Sequence, residues 1–133
     1  DMGAVYKPEA YNSVSPYLVV KGAQRMIDFL GKVFGARELR RYDSPDGGIL
    51  HAEVLVDDSV IMMGDASDDW PANQLLTHVY VPDVDAAYGR ALTNGATPVQ
   101  APERKPGDPD RRGSFKNFAG NIWAVGTQIA EGK

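Results

Sequence analysis

Hydrophobic and polar positions alternate over residues 51–63, HAEVLVDDSVIMM, and the alternation predicts two strands joined at Asp57 and Asp58. A two-residue turn there pairs Val56 with Ser59, Leu55 with Val60, Val54 with Ile61 and Glu53 with Met62. Paired residues share a face of the ladder. Ala52, Val54, Val56, Ile61 and Met63 then make a wholly apolar face, suited to lie under a helix. His51, Glu53, Leu55, Val60 and Met62 make the other, which carries a histidine and a carboxylate among hydrophobes. A solvated face would be more polar than this and a core face less so, so the pattern fits the lining of a ligand cavity.

Elsewhere the period shifts between strand-like and helix-like. Residues 1–13 are polar, contain Pro8 and read as an extended arm; Asp1 ahead of Met2 reads as a cloning remnant. Residues 15–20 predict a strand with Pro16 at its edge or beginning. Over 23–34, Ala23, Met26, Ile27, Leu30, Val33 and Phe34 fall on one helical face, and Gly35 follows where helix ends favour a left-handed residue. Residues 37–42 predict a charged strand and 44–48 a turn. After the hairpin, 64–74 read as a loop holding Asp65, Asp68, Asp69 and Trp70-Pro71. A strand over 75–81 leads to a helix capped by Asp83, with Val84, Ala87, Tyr88, Ala91 and Leu92 inward and Asn94-Gly95 at its end. Residues 97–99 predict a short strand, 101–110 a proline-rich loop, and 113–116 with 122–128 a last hairpin around 117–121.

The order strand, helix, three strands thus occurs twice. Val20 matches Val81, Met26 Ala87, Ile27 Tyr88 and Leu30 Ala91 at a constant offset, and Gly35-Ala36 matches Gly95-Ala96 after a one-residue slip. Two βαβββ modules follow, about 14–64 and about 75–128, within one α+β domain over residues 1–133.

The segments PYLVVKGA (16–23), IDFL (27–30), VFGA (33–36), PDGGILHAEV (45–54), DSVIMMGD (58–65), VYVPDVDAAY (79–88), NGA (94–96) and DRRGSFKNFAGNIW (110–123) occur in an order that resembles the vicinal oxygen chelate superfamily. That superfamily comprises glyoxalase I, bleomycin-resistance proteins and extradiol dioxygenases, and the likeness is strongest to its PhnB-like branch. The last segment resembles that branch's GDRxGxxxDPxGNxW, with Asn117-Phe118 in place of Asp-Pro. The resemblance implies a curved mixed sheet forming a cup, with the helices outside, and a homodimer. It places the metal-ligand positions of metal-dependent members at Ser15, Met62, Leu76 and Ala124, none of them a good ligand for a divalent ion. We therefore expect no metal and no cofactor.

The same alignment turns Ser15, Tyr17 and Val19 inward on the first strand, Leu76, His78 and Tyr80 on the fifth, and Ile122, Ala124 and Gly126 on the last, with Trp123 in the core. The expected lining is Tyr17, His51, Glu53, Met62, His78 and Tyr80, mostly apolar with a few polar groups, which suits an organic ligand of moderate size. Trp70, beside Asp68 and Asp69, is a candidate to cover a cationic group or to anchor its loop against a partner subunit. Arg111 and Arg112 are candidates to hold an acidic group; a solvated loop is the alternative.

Charge and composition narrow the partners. A formal net charge of −4 argues against a nucleic-acid backbone. There is no cysteine, so thiolate metal sites, disulfides and cysteine nucleophiles are excluded. No apolar run approaches membrane length, and the cytosol is the default location. The sequence therefore predicts a metal-free protein that binds an antibiotic-like or metabolic compound in a cup. The rival is a lyase-, isomerase- or dioxygenase-type enzyme. There His51 or His78 would serve as general base with Glu53 orienting an imidazole, or the three would form a displaced metal site. A purely structural module is a weaker third, since inward polar side chains would serve no purpose in it.

Overall fold

Asp57 and Asp58 do make the hairpin turn. Asp57 takes a left-handed φ of 52°, which aspartate tolerates better than most side chains. The computed structural model describes residues 5–131; the cloning remnant expected at Asp1 lies outside them. Along the chain run β1 (Tyr17–Val20), α1 (Ala23–Phe34), β2 (Arg37–Asp43), β3 (Ile49–Val56), β4 (Ser59–Asp65), β5 (Leu76–Tyr80), α2 (Val84–Thr93), β6 (Thr97–Glu103), β7 (Asp110–Lys116) and β8 (Ile122–Gln128).

These elements form two four-stranded mixed sheets, ordered β1-β4-β3-β2 and β5-β8-β7-β6. In each, the first strand runs parallel to the fourth and the other pairings are antiparallel, so the repeat legible in the sequence is a repeat of topology. The hairpin register is the predicted one, Val56 to Ser59 through Glu53 to Met62. Two departures from expectation occur in the second module. β6 continues to Glu103, and β7 begins at Asp110 rather than Gly113, so less of 101–110 is loop than its prolines suggested.

Helix boundaries follow local chemistry. α1 ends at Gly35, whose φ of 69° is the left-handed conformation expected there. Asp83 accepts the Ala86 amide at 3.0 Å and caps α2.

One core serves both modules. Ala52, Val54, Val56, Ile61 and Met63 are buried in the cluster that holds Met26, Leu30 and Val33 of α1. α1 also reaches the second sheet: Phe29 and Phe34 stand 6.2 and 6.3 Å from Phe115, and Phe34 stands 5.7 Å from Trp123, between ring centroids. Arg90 of α2 donates to the Val33 carbonyl at the end of α1, at 2.9 Å. Burying each such large side chain contributes roughly 1.5–3 kcal/mol. The helix-facing sides of both sheets are thereby closed, and the opposite sides are left open. The two βαβββ modules with their helices on one side are those the sequence implied; among the described residues no hydrogen-bonded strand pair joins the two sheets, so the cup is not closed within one chain.

Candidate functional site

A β-bulge shapes the open face of the first sheet. Tyr42 pairs with His51, but the next residue, Asp43, pairs with Ile49, leaving Leu50 without a partner. Ile49 and Ala52 both turn to the core, while Leu50 swings out and is 62% exposed. Such an inserted residue bends a strand and re-aims its side chains. Leu50 here borders a cavity of about 510 Å³ together with Tyr17, Val19, Gly64, Asp65 and Trp70. Trp70, 68% exposed, is carried by a loop tied through Ser67: Ser67 N donates to the Trp70 carbonyl and Trp70 N to Ser67 Oγ.

Behind the cavity lies a chain of polar side chains. Tyr17 Oη is 2.9 Å from His51 Nδ1, and His51 Nε2 is 2.8 Å from Glu53 Oε2. Glu53, buried, accepts on its other oxygen from Tyr11. Arg40 lies 5.3 Å above the Tyr11 ring, a cation–π distance. Met62 sits between the two ends, in register with Tyr17 on one side and Glu53 on the other. Burial works against the Glu53 charge, but hydrogen bonds from Tyr11 and His51 and the nearby Arg40 outweigh it and hold the carboxyl below its usual range. Burial and the Glu53 charge push the Tyr17 phenol up.

The N-terminal arm closes the lower part of this face. Asn12 Oδ1 accepts from Val60 N at 3.1 Å, and the Pro16 carbonyl accepts from Met62 N. Glu53 and Val60 are buried although they belong to the open side of the hairpin. The arm expected to be merely extended is a docked strap, and Tyr11, like Leu50, is a site residue that sequence reasoning missed.

The second sheet carries a different group. His78 and Tyr80 stack edge to face at 4.7 Å. Arg112 donates to Asp108 at 2.8 Å and to Asp110 at 2.7 Å, and lies 3.2 Å from His78 Nε2. Tyr80 donates to the buried Asp110 at 2.6 Å. Desolvation and the Arg112 charge lower the His78 pKa, with Asp110 opposing. Because β7 starts at Asp110, its alternation sends Arg111 to the helix side. There it forms a two-point pair with Asp85 of α2, at 2.8 and 3.0 Å. Of the two candidate arginines, Arg112 is thus the one on the open face beside His78, and Arg111 is taken up by Asp85.

The expected lining therefore divides. Tyr17, His51, Glu53 and Met62 come together on the first sheet, and Trp70 lines the same cavity as Tyr17. His78 and Tyr80 border a second space of about 580 Å³, shared with Asn12, Pro16 and the hairpin tip. Among the described residues no three histidine, aspartate, glutamate or cysteine side chains gather as a metal ion would need, so His51, Glu53 and His78 do not form the displaced metal site within one chain. No helix among the described residues is long and apolar enough to cross a membrane.

Comparison with known proteins places this geometry. Residues 11–125 match the family model described as Glyoxalase/Bleomycin resistance protein/Dioxygenase superfamily. The uncharacterized protein Rv0887c of Mycobacterium tuberculosis is 35% identical over 130 residues, covering 90% of this chain and 76% of its own length. Among solved structures, TioX from Micromonospora sp. ML1 superposes with a TM-score of 0.73 at 25% identity, over 89% of this chain and 99% of that one. TnmS3, an antibiotic binding protein from Streptomyces sp. CB03234, gives 0.66 at 19% identity over 89% and 99% of the two chains. With the family model spanning nearly the whole described chain and the fold the one its resemblance implied, this protein belongs to the glyoxalase/bleomycin-resistance/dioxygenase superfamily.

Proposed function

We propose that this chain binds a small organic molecule, antibiotic-like or metabolic, in the space between Tyr17, Leu50 and Trp70, without a metal. The observation that carries the reading is the bulge at Leu50. It breaks the alternation of β3 and turns a large apolar side chain outward beside an exposed tryptophan and a tyrosine. Exposed apolar groups around a space of drug-like size are what such sites use, with a few polar groups to fix orientation. TnmS3 is an antibiotic binding protein of the same fold, and the residues at the metal-dependent members' ligand positions (Ser15, Met62, Leu76 and Ala124) are unsuited to a divalent ion.

We further propose that the protein works as a homodimer. Each chain leaves apolar groups on its open sheet faces, Leu76 at 72% and Tyr80 at 62% exposure on the second and Tyr42 at 56% on the first. A partner laid across them would complete the cup that one chain leaves divided. Native mass spectrometry of the purified protein, with elemental analysis, tests the reading. The expected result is a dimer retaining or accepting an organic ligand, with no stoichiometric transition metal. About one tightly held metal ion per chain would overturn the metal-free part.

A further inference from the structure

We propose that Tyr17, His51 and Glu53 form a proton-transfer unit, able to take a proton from a flat, uncharged organic molecule held between Tyr17, Leu50 and Trp70 and to return it elsewhere on that molecule. The inference rests on the ligand site proposed above and adds chemistry to it.

With Glu53 ionised and His51 taken as the neutral ring, the hydrogen bonds leave one arrangement of protons. An ionised Glu53 only accepts, so His51 carries its hydrogen on Nε2 and donates across 2.8 Å. The neutral ring then holds a lone pair on Nδ1, and Tyr17 donates to it across 2.9 Å. Tyr17 borders the cavity, and His51 stands behind it. A proton leaving a ligand carbon passes to the Tyr17 oxygen while the tyrosine's own proton moves to Nδ1. The carbon–hydrogen electron pair remains on the ligand, as an enolate or by expelling a leaving group. His51 becomes an imidazolium between Tyr17 and the Glu53 carboxylate; the reverse passage gives the proton to another atom of an enolate or, after elimination, to the departed group or to water, and restores both residues with no other reactant consumed.

The surroundings suit that cycle. Glu53 is the positioning residue, and Tyr11 fixes it on its second oxygen. The groups against His51 are Tyr17 on β1, Tyr42 on β2 with ring centroids 6.2 Å apart and Glu53 on β3, with the uncharged Met62 of β4 in register with Glu53. Arg40 and Tyr11 lie on the far side of Glu53. Among the described residues the charged ones bordering the cavity are Asp46 and Asp65, with no lysine or arginine, which disfavours an anionic ligand. An isolated buried histidine–carboxylate pair would serve a fold as well, but its outer nitrogen would have no reason to meet a hydroxyl at a cavity wall.

The probe is 5-nitrobenzisoxazole, a flat uncharged bicycle. Loss of its ring C–H proton forms a nitrile as the N–O bond breaks and releases a coloured phenolate. Tryptophan quenching, assigned to the site by its loss in Trp70→Phe, reports occupancy in the same cuvette. We expect saturable elimination above the buffer rate, reduced about a hundredfold in His51→Gln and in Tyr17→Phe, the scale of a lost general base, with quenching kept in both. Glu53→Gln should lower the rate and move the midpoint of its pH profile. Quenching with no elimination above buffer, or elimination indifferent to His51→Gln, overturns the unit and leaves the binding site standing. Neither quenching nor elimination overturns both.

Discussion

A Cβ on Gly64 would stand 2.6 Å from the carbonyl oxygen of Leu50. Real side chains do not come so near backbone, and the glycine is therefore what lets β4 lie against the bulge of β3. The same Cβ would be 3.3 Å from the Tyr17 hydroxyl, so the bulge, the glycine and the first residue of the polar chain are one geometric unit. Gly64→Ala should push the bulge aside, destabilising the fold by about 1–3 kcal/mol, as overpacking does. It should also disturb the cavity. Urea denaturation at fixed protein concentration checks the first effect and tryptophan quenching by an aromatic ligand the second. An alanine variant as stable as the parent would show that the bulge is not locked by Gly64.

Trp70 and Val54 separate function from folding. Trp70 is largely exposed and its ring stands at the cavity wall, whereas Val54 is fully buried against α1. Trp70→Ala should leave stability within about 0.5 kcal/mol while weakening ligand binding at least tenfold. Val54→Ala should cost about 1–3 kcal/mol by opening a core cavity and leave affinity per folded molecule nearly unchanged. Thermal melts and ligand titrations of both variants are the measurement. If Trp70→Ala melts early and binds normally, the tryptophan anchors its loop and does not serve the ligand.

These two cases also show what the sequence could and could not reveal. Period-two alternation between Ala52 and Met63 sufficed for the register and for both faces of the hairpin, because a slip of one residue would have put Val54 in water. Ile49-Leu50-His51-Ala52 breaks that alternation, and Gly64 interrupts a strand, which together are the signal of a bulge. Read jointly they would have placed Leu50 in the site. Tyr11 left no such trace: its contact with Glu53 spans 42 residues and joins a segment without periodicity to a strand. Arg111 and Arg112 differ only in parity. The prolines of 101–110 hid where β7 begins, and with it which arginine faces out. Whether two modules of one chain close a single cup depends on how α1 packs on Phe115 and Trp123, which local pattern does not encode.

The open faces predict assembly. Leu76 is 72% exposed at the start of β5, on the same side of the sheet as exposed Tyr80. Sedimentation at micromolar concentration should give a dimer of the 14.4 kDa chain. Leu76→Asp, which would place an unpaired charge in the interface, should move the protein towards monomer without altering its helix and sheet content. A parent that sediments as a monomer sinks the homodimer, and a dimer indifferent to Leu76→Asp relocates its interface.

Glu53 predicts how the fold meets acid. Its carboxyl is held below the ordinary value of 4.5 by Tyr11, His51 and Arg40 despite burial, so the unfolded chain binds this proton more readily than the folded one. The sign follows: the stabilisation is whole above about 4.5 and is lost as the pH falls through the folded-state value. Glu53→Gln cannot ionise and lacks this contribution at every pH. The parent's advantage over Glu53→Gln in urea should therefore be largest at neutral pH and shrink as the pH is lowered from about 5 towards 3. Tyr11→Phe removes a hydrogen bond that lowers the Glu53 pKa, and should move the parent's acid loss to higher pH while leaving its neutral pH dependence alone. A gap between parent and Glu53→Gln that stays constant across this range would mean that the folded state does not hold Glu53 as a charged acceptor. The polar chain from Tyr11 to Tyr17 would then need a different set of protons.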